Sequence, residues 1–262
     1  MTEPGRNPFA SLSADLNTRF IGKKIIYYPR LASTMDAARA EAGRGVPEGT
    51  VIMAGEQTSG RGRLKRTWFT PYGNIAASII LCPSLASLPY LVMAASLAVF
   101  DTIEKTTGLE PQIKWPNDVL IRGKKVAGIL IENEFRAGEV AFAIAGIGIN
   151  VGLRPADIAD ISATATSLTD ASGREVPLRQ VAKHLFEGFE RWYDRLPDGK
   201  FIFEAWRDRL VTLGKKVKAT WGSQVIEGIA EDVEENGALL IRGADGRITR
   251  VVAGDVTLRE NV

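Results

Sequence analysis

The sequence predicts an α+β fold, with a mixed, largely antiparallel sheet flanked by helices and a small β-rich unit after it. Three observations carry this. Residues 119–149 read as a meander of alternating strands around the Arg122-Gly123 and Ala137-Gly138 turns. Residues 178–192 and 201–213 repeat their apolar positions at helical spacing. Beyond Gly214 the chain breaks into short strands separated by Asn236-Gly237 and Asp245-Gly246, both type I′ hairpin signals.

With 262 residues, 45% of them apolar, the chain can bury one sizeable core and a smaller one. The expected divisions are a flexible tail over 1–19, a main domain over 20–213 and a small domain over 214–262. The tail has neither the basic start nor the apolar run of a targeting segment. Residues 24–28 form a strand candidate, and Ser33 then suits a helix N-cap, with Asp36 at the third helical position and Gly43 as the stop. Residues 51–54 and 75–81 read as buried strands. No charge occurs over 67–100, but Pro71, Gly73, Pro83 and Pro89 break that run into pieces too short to span a bilayer, so it reads as interior. A helix over 87–107 carries Pro89 in its first turn and is closed by Gly108.

Alternation along 124–133 puts Lys125 on one face with Ala127, Ile129 and Ile131, unusual company for a lysine unless it snorkels. Gly146 and Gly148 leave one face of their strand bare, for a ligand or for a close-packed element. Residues 155–173 are polar and read as a loop. The lone His184 reads as a solvated or helix-capping residue. The single Cys82 excludes an internal disulfide and a cysteine zinc site; a packing role and a reducing cytoplasm are expected.

The most informative segment is residues 57–68, where Arg61, Arg63, Lys65 and Arg66 surround Gly60 and Gly62. Glycines let the backbone approach a ligand, and guanidinium groups match phosphate and carboxylate oxygens with paired donors. The loop therefore suits an anion, and it is expected to be mobile until one gathers its donors. It lacks the Gly-Lys-Ser/Thr of a phosphate-binding loop and the third glycine of the dinucleotide fingerprint. A basic loop could also contact nucleic acid. The net charge of +2 gives no protein-wide basic field for that role, so the cationic patch is local.

Four further segments follow in order along the chain: Ser33-Thr34-Met35, Lys114-Trp115-Pro116-Asn117-Asp118, Lys125-Val126-Ala127-Gly128-Ile129-Leu130 and Gly146-Ile147-Gly148-Ile149-Asn150-Val151. Together with the arginine loop they resemble the catalytic domain of the biotin protein ligases, over about residues 20–260. Thr166-Ser167-Leu168 and the β-rich tail also fit. Met35 stands where many relatives carry Asn, which puts one hydrogen bond to biotin in doubt. The resemblance implies a fold like that of class II aminoacyl-tRNA synthetases with a C-terminal SH3-like barrel. The chain looks like the monofunctional form, without the DNA-binding module of relatives that double as repressors.

The implied reaction joins biotin to MgATP as biotinyl-adenylate, then passes biotin to a lysine of a biotin carboxyl carrier protein. Biotin, ATP and Mg²⁺ are the implied ligands, with no DNA and no membrane as partners; a homodimer is compatible with the family. Lys125 and Arg63 are the expected catalytic residues, neutralising the carboxylate and phosphates. Ser33, Thr34, Met35, Gln57, Arg61, Gly62, Arg63 and Lys125 are expected around biotin. Arg61, Arg66, Trp68, Asn117 and Asn150 are expected around the nucleotide, and Asp118 on the metal side. Each has a plainer alternative: a cap for Ser33, a core position for Trp68, a turn for Asn117 and Asp118. A lipoate ligase would share the fold and the adenylation chemistry, and a nucleic-acid-binding module would combine a basic loop with a small barrel.

Overall fold

The computed structural model describes residues 7–221, 224–252 and 254–258, the side chains of Lys65, Trp221 and Asp255 excepted. Seven strands form the main sheet: β1 (Ile25–Leu31), β2 (Val51–Gln57), β3 (Ile75–Leu81), β4 (Gln112–Lys114), β5 (Asp118–Ile121), β6 (Lys124–Arg136) and β7 (Glu139–Ile149). Their order is β1-β2-β3-β7-β6-β5-β4. β1 and β2 are parallel and every other pair is antiparallel, as the mixed sheet predicted from sequence requires. The β5–β6 and β6–β7 turns use Arg122-Gly123 and Ala137-Gly138, all four residues with positive φ, the type I′ requirement. In the Asn236-Gly237 and Asp245-Gly246 turns only the glycines have positive φ, so these are not type I′ pairs.

One sheet face carries the main core. Met53, Ile75, Ala77, Ile79, Ala127, Ile129, Ala145 and Ile147 pack there with α3 (Leu88–Thr107), α5 (Leu178–Tyr193) and α6 (Gly199–Arg207). α3 carries Pro89 in its first turn and stops at Gly108, whose φ of 72° a side chain would resist. It is long and apolar enough to cross a membrane, but 67% of that apolar window is buried inside the protein, so its hydrophobicity serves the core. The opposite face is covered at one end by α2 (Thr34–Gly43), where Met35 and Ala38 meet Ile52, Ile80, Phe142 and Ile144. Its other end is left to the arginine loop.

Several expectations from sequence need correction. The chain before residue 20 is not a frayed tail from residue 7 onward: Phe9, Leu12 and Leu16 are buried in the main core, Leu12 on the short α1 (Leu12–Asp15). Glu190 ties down residues 19–21 by accepting their backbone N–H groups. The helix expected over 201–213 ends at Arg207, because the chain turns away to pair with β4: Ile113 donates to Arg209 and Val211 donates back to Ile113. The polar stretch 155–173 holds α4 (Leu168–Ser172), capped by Ser167, whose Oγ accepts from the Asp170 N–H at 3.2 Å. Cys82 falls just past β3 and is exposed, not packed. His184 sits mid-way along α5, half-buried, its Nδ1 buried without a partner, so it does not cap the helix.

The small unit contains β8 (Lys216–Trp221), β9 (Gln224–Val233), β10 (Leu239–Arg242), β11 (Ile248–Val251) and β12 (Asp255–Leu258). They form one antiparallel sheet in the order β11-β10-β9-β8-β12. Among the described residues β11 and β12 do not pair, so the expected barrel is not closed by hydrogen bonds. The unit is pinned to the main domain where the Trp115 indole donates to the Gly237 carbonyl at 2.8 Å.

Candidate functional site

The site is built on the sheet face beyond α2, where the chain has kept side chains small. Ala76, Gly148 and Gly128 are paired across β3, β7 and β6, and Ser78, Gly146 and Leu130 form the next row. The bare surface at the glycines is filled by two other side chains. A Cβ on Gly148 would lie 2.2 Å from Trp68 Nε1, one on Gly128 3.2 Å from the same ring, and one on Gly146 2.5 Å from Met35 Sδ. The glycines therefore let Trp68 and Met35 lie down on the sheet, where both line a cleft of about 120 Å³.

At one end of the cleft Gln57, on β2, organises the start of α2. Its Oε1 accepts from both the N–H and the hydroxyl of Thr34, at 2.8 and 3.0 Å, and its Nε2 donates to Thr70 at 3.1 Å. Ser78 donates to the Thr34 hydroxyl at 2.8 Å. Ser33 occupies the N-cap position, yet its side chain does not cap the helix. Its Oγ is buried without a partner, which the capping alternative leaves unexplained.

The arginine loop is a tight excursion between β2 and β3. Trp68 N–H donates to Gly60 at 2.9 Å, and Gly62 N–H donates to Arg66 at 2.7 Å. Gly60 admits no other residue without movement, since a Cβ there would lie 2.4 Å from the Trp68 carbonyl. Leu64, at the tip, is left-handed with φ 54°. Arg61 donates to Asp36 of α2 at 2.6 Å and lies 3.7 Å from Glu132 of β6. Glu132 in turn accepts from Arg39 at 2.9 Å, a bond that raises the Arg39 pKa. Arg63 donates to Asn117 Oδ1 at 3.1 Å, and Asn117 is fixed by donating to the Ile129 carbonyl at 2.7 Å.

Lys125 reaches the cleft because β6 is bulged. Leu120 pairs with Lys125 and Val119 with Ala127, leaving Val126 unpaired. The extra residue moves Lys125 off the Ala127 and Ile129 face, where strict alternation puts it, and onto the Gly128 face. Its Nζ lies 2.6 Å from Asp118 Oδ1 and 5.2 Å from the centre of the Trp68 ring. The backbone beyond β7 holds it there: Lys125 N–H donates to Thr164 at 2.8 Å and Thr166 N–H donates back to Lys125 at 2.9 Å.

Of the residues singled out in the sequence, Thr34, Met35, Gln57, Arg61, Gly62, Arg63, Arg66, Trp68, Asn117, Asp118 and Lys125 line one cleft. Ser33 and Asn150 do not line it. Asn150 is buried and donates to the Thr166 carbonyl at 3.0 Å, so its amide serves to tie down the segment that supports Lys125. Sequence reasoning missed Glu132, Ser78 and Thr70, and held Gly128 only as a member of a motif, with no role. The glycine inside an apolar strand was the one local signal for this group. Gly254, from the small unit, also reaches the cleft and carried no signal at all.

Two family models match the chain in succession. Residues 27–150 match the biotin/lipoate A/B protein ligase family, and residues 212–259 match the biotin protein ligase C-terminal domain. Over 98% of this chain and 80% of the relative, it is 35% identical to the bifunctional ligase/repressor BirA of Bacillus subtilis. The chain belongs to the biotin protein ligase family. It is likewise 35% identical to the biotin–[acetyl-CoA-carboxylase] ligase of Paracoccus denitrificans, over 81% of this ligase and 93% of that one. The solved biotin protein ligase of Aquifex aeolicus, in complex with biotin and ATP, superimposes with a TM-score of 0.75 at 29% identity, covering 91% of this ligase and 100% of that chain.

Proposed function

We propose that this chain is an ATP-dependent biotin ligase that makes biotinyl-5′-adenylate and transfers biotin to a lysine of a biotin carboxyl carrier protein. The observation that carries this reading is the convergence of Arg61, Arg63, Arg66 and Lys125 on one cleft whose floor is glycine and tryptophan. Biotin is an uncharged bicycle with an anionic tail. Its ureido ring suits the Thr34 and Gln57 end, where a hydroxyl and an amide sit against Met35 and Trp68, and its carboxylate then extends towards Lys125.

In the first step a biotin carboxylate oxygen attacks the α-phosphorus of ATP and pyrophosphate leaves. Two anions must meet, so Arg63 and Lys125 neutralise the carboxylate and the phosphoryl oxygens in a site shielded by Trp68. Asp118 holds Lys125 in place by its 2.6 Å contact. Mg²⁺, when bound, supplies charge neutralisation on the triphosphate. Asp118 is the residue that would meet that ion. Arg61, Arg66 and Asn117 are the proposed nucleotide contacts. Asn150 acts on the same region through the segment it anchors.

The nucleic-acid reading is weaker because Arg61 is held by Asp36 and Arg63 by Asn117, within the cleft wall. The free thiol of Cys82 agrees with work in a reducing cytoplasm. The test is transfer: incubated with biotin, MgATP and the apo carrier domain of an acetyl-CoA carboxylase, the protein should add one biotin to the carrier. Carrier mass unchanged under conditions where the protein binds biotin would reject the proposal.

A further inference from the structure

A serine that never reaches the cleft controls what one end of it can recognise. Ser78 is fully buried on β3, between Ile52 of β2 and Gly146 of β7, and is not among the residues that line the cleft. A buried hydroxyl is costly unless it is bonded, and the buried Ala76 and Ala77 just before it show that a methyl side chain suits this strand. Among the described residues its side chain makes one hydrogen bond, to the Thr34 hydroxyl at 2.8 Å. Resting on the ligase reading above, we infer that Ser78 is a specificity-determining positioning residue. It fixes the Thr34 hydroxyl as an acceptor, so that this end of the cleft takes a ring N–H and rejects an oxygen in its place.

The direction of each bond follows from one backbone donor. The Thr34 N–H can only donate, so the Gln57 atom that it meets at 2.8 Å is the amide oxygen. That oxygen can only accept, so the Thr34 hydroxyl, 3.0 Å away, gives its single proton to it. The hydroxyl has no second proton, and Ser78 is therefore the donor of the 2.8 Å bond between them. Two neighbours thus hold the hydroxyl, one taking its proton and the other filling a lone pair. What remains is one lone pair on Thr34 Oγ1 and one N–H on Gln57 Nε2, whose other N–H goes to Thr70 at 3.1 Å. Both residues line the cleft. An acceptor beside a donor complements a ring N–H beside a carbonyl, the edge that a cyclic urea presents and a dithiolane lacks. Without Ser78 the hydroxyl is restrained from one side only, and its proton can turn into the cleft to meet an oxygen.

The test reads selectivity, which a purely structural role would not move. Calorimetric titration of the full chain compares biotin with its two cyclic-carbamate analogues, in each of which one ring N–H is replaced by oxygen. The unmodified protein should bind one of the two at least about tenfold more weakly than biotin, because its oxygen meets the Thr34 lone pair. Ser78→Ala should weaken biotin by about three- to tenfold and that analogue by less, so that the ratio between them narrows, while the KM for ATP stays within about twofold. Ser78→Cys keeps a side chain of similar shape with a weaker donor, so its ratio should fall between the other two. Biotin and both analogues weakened equally by Ser78→Ala would overturn the inference and leave Ser78 a structural role alone. A ratio unchanged in both variants would overturn it as well. No binding of biotin by the unmodified protein would instead reject the ligase reading itself.

Discussion

At the scale of single residues, the cleft depends on two kinds of position: those that supply charge and those that supply nothing. Lys125 supplies charge. It is an ion-pair partner of Asp118 on a strand held from both sides, so removing its side chain deletes a cation and little packing. Lys125→Ala should lower biotin-dependent pyrophosphate exchange by about 100- to 1000-fold with an unchanged denaturation midpoint. Unchanged exchange would remove its role. Gly148 supplies absence. A Cβ there meets Trp68 Nε1 at 2.2 Å, so Gly148→Ala should cost about 1–3 kcal/mol in urea denaturation or expel the indole and weaken biotin binding. Gly62→Ala, whose Cβ would find its nearest neighbour at an ordinary 3.6 Å, should leave stability within about 0.5 kcal/mol. Equal effects of the two substitutions would contradict the packing account.

The residue scale is also where the sequence was most and least informative. Arg63, Trp68, Asn117 and Lys125 were legible because their chemistry is written in short motifs. The side on which Lys125 projects was not legible, since one unpaired residue, Val126, reverses it, and a bulge leaves no mark on an alternation pattern that apolar residues satisfy on both faces. Glu132 was missed for a related reason. A glutamate near the end of a long strand reads as solvated until the fold brings Arg39 and Arg61 against it.

Among the elements, the arginine loop governs access. Its own backbone bonds give it a defined shape, but Arg61 and Arg63 bind protein groups that an incoming anion can replace. Trypsin can cleave after Arg61, Arg63, Lys65 and Arg66. Limited digestion should nick this loop early in the free protein and slow markedly once biotin and MgATP are added. Equal rates with and without ligands would exclude closure of the loop on its anion. Strand and helix positions were legible from alternation, caps and turn pairs. The early end of α6 was not, because the residues after it pair with β4, an element of three residues with no period to read.

Across the whole molecule, pH acts through the protein's one histidine, half-buried on α5, the helix that packs against the main core. Burial, followed by the charge of Lys105, lowers the His184 pKa below its ordinary 6.5. A lowered folded-state value means the unfolded chain takes up the proton first. Stability is therefore full above pH 6.5 and is lost as pH falls from there through the folded-state value. His184→Gln should flatten this part of the thermal stability profile between about pH 7 and pH 5. An unchanged slope would place the pH dependence elsewhere. The junction of the two domains was illegible in the sequence, since Trp115 and Gly237 lie far apart in the chain and neither carries a mark of the other.

The central claim is that this cleft activates biotin, and ATP–pyrophosphate exchange tests it most directly because it reads the first step without any carrier protein. Purified protein with Mg²⁺, ATP and labelled pyrophosphate should return label to ATP when biotin is present, and should stay at background with lipoate or with no acid added. Exchange with lipoate but not with biotin, or none with either, would contradict the account.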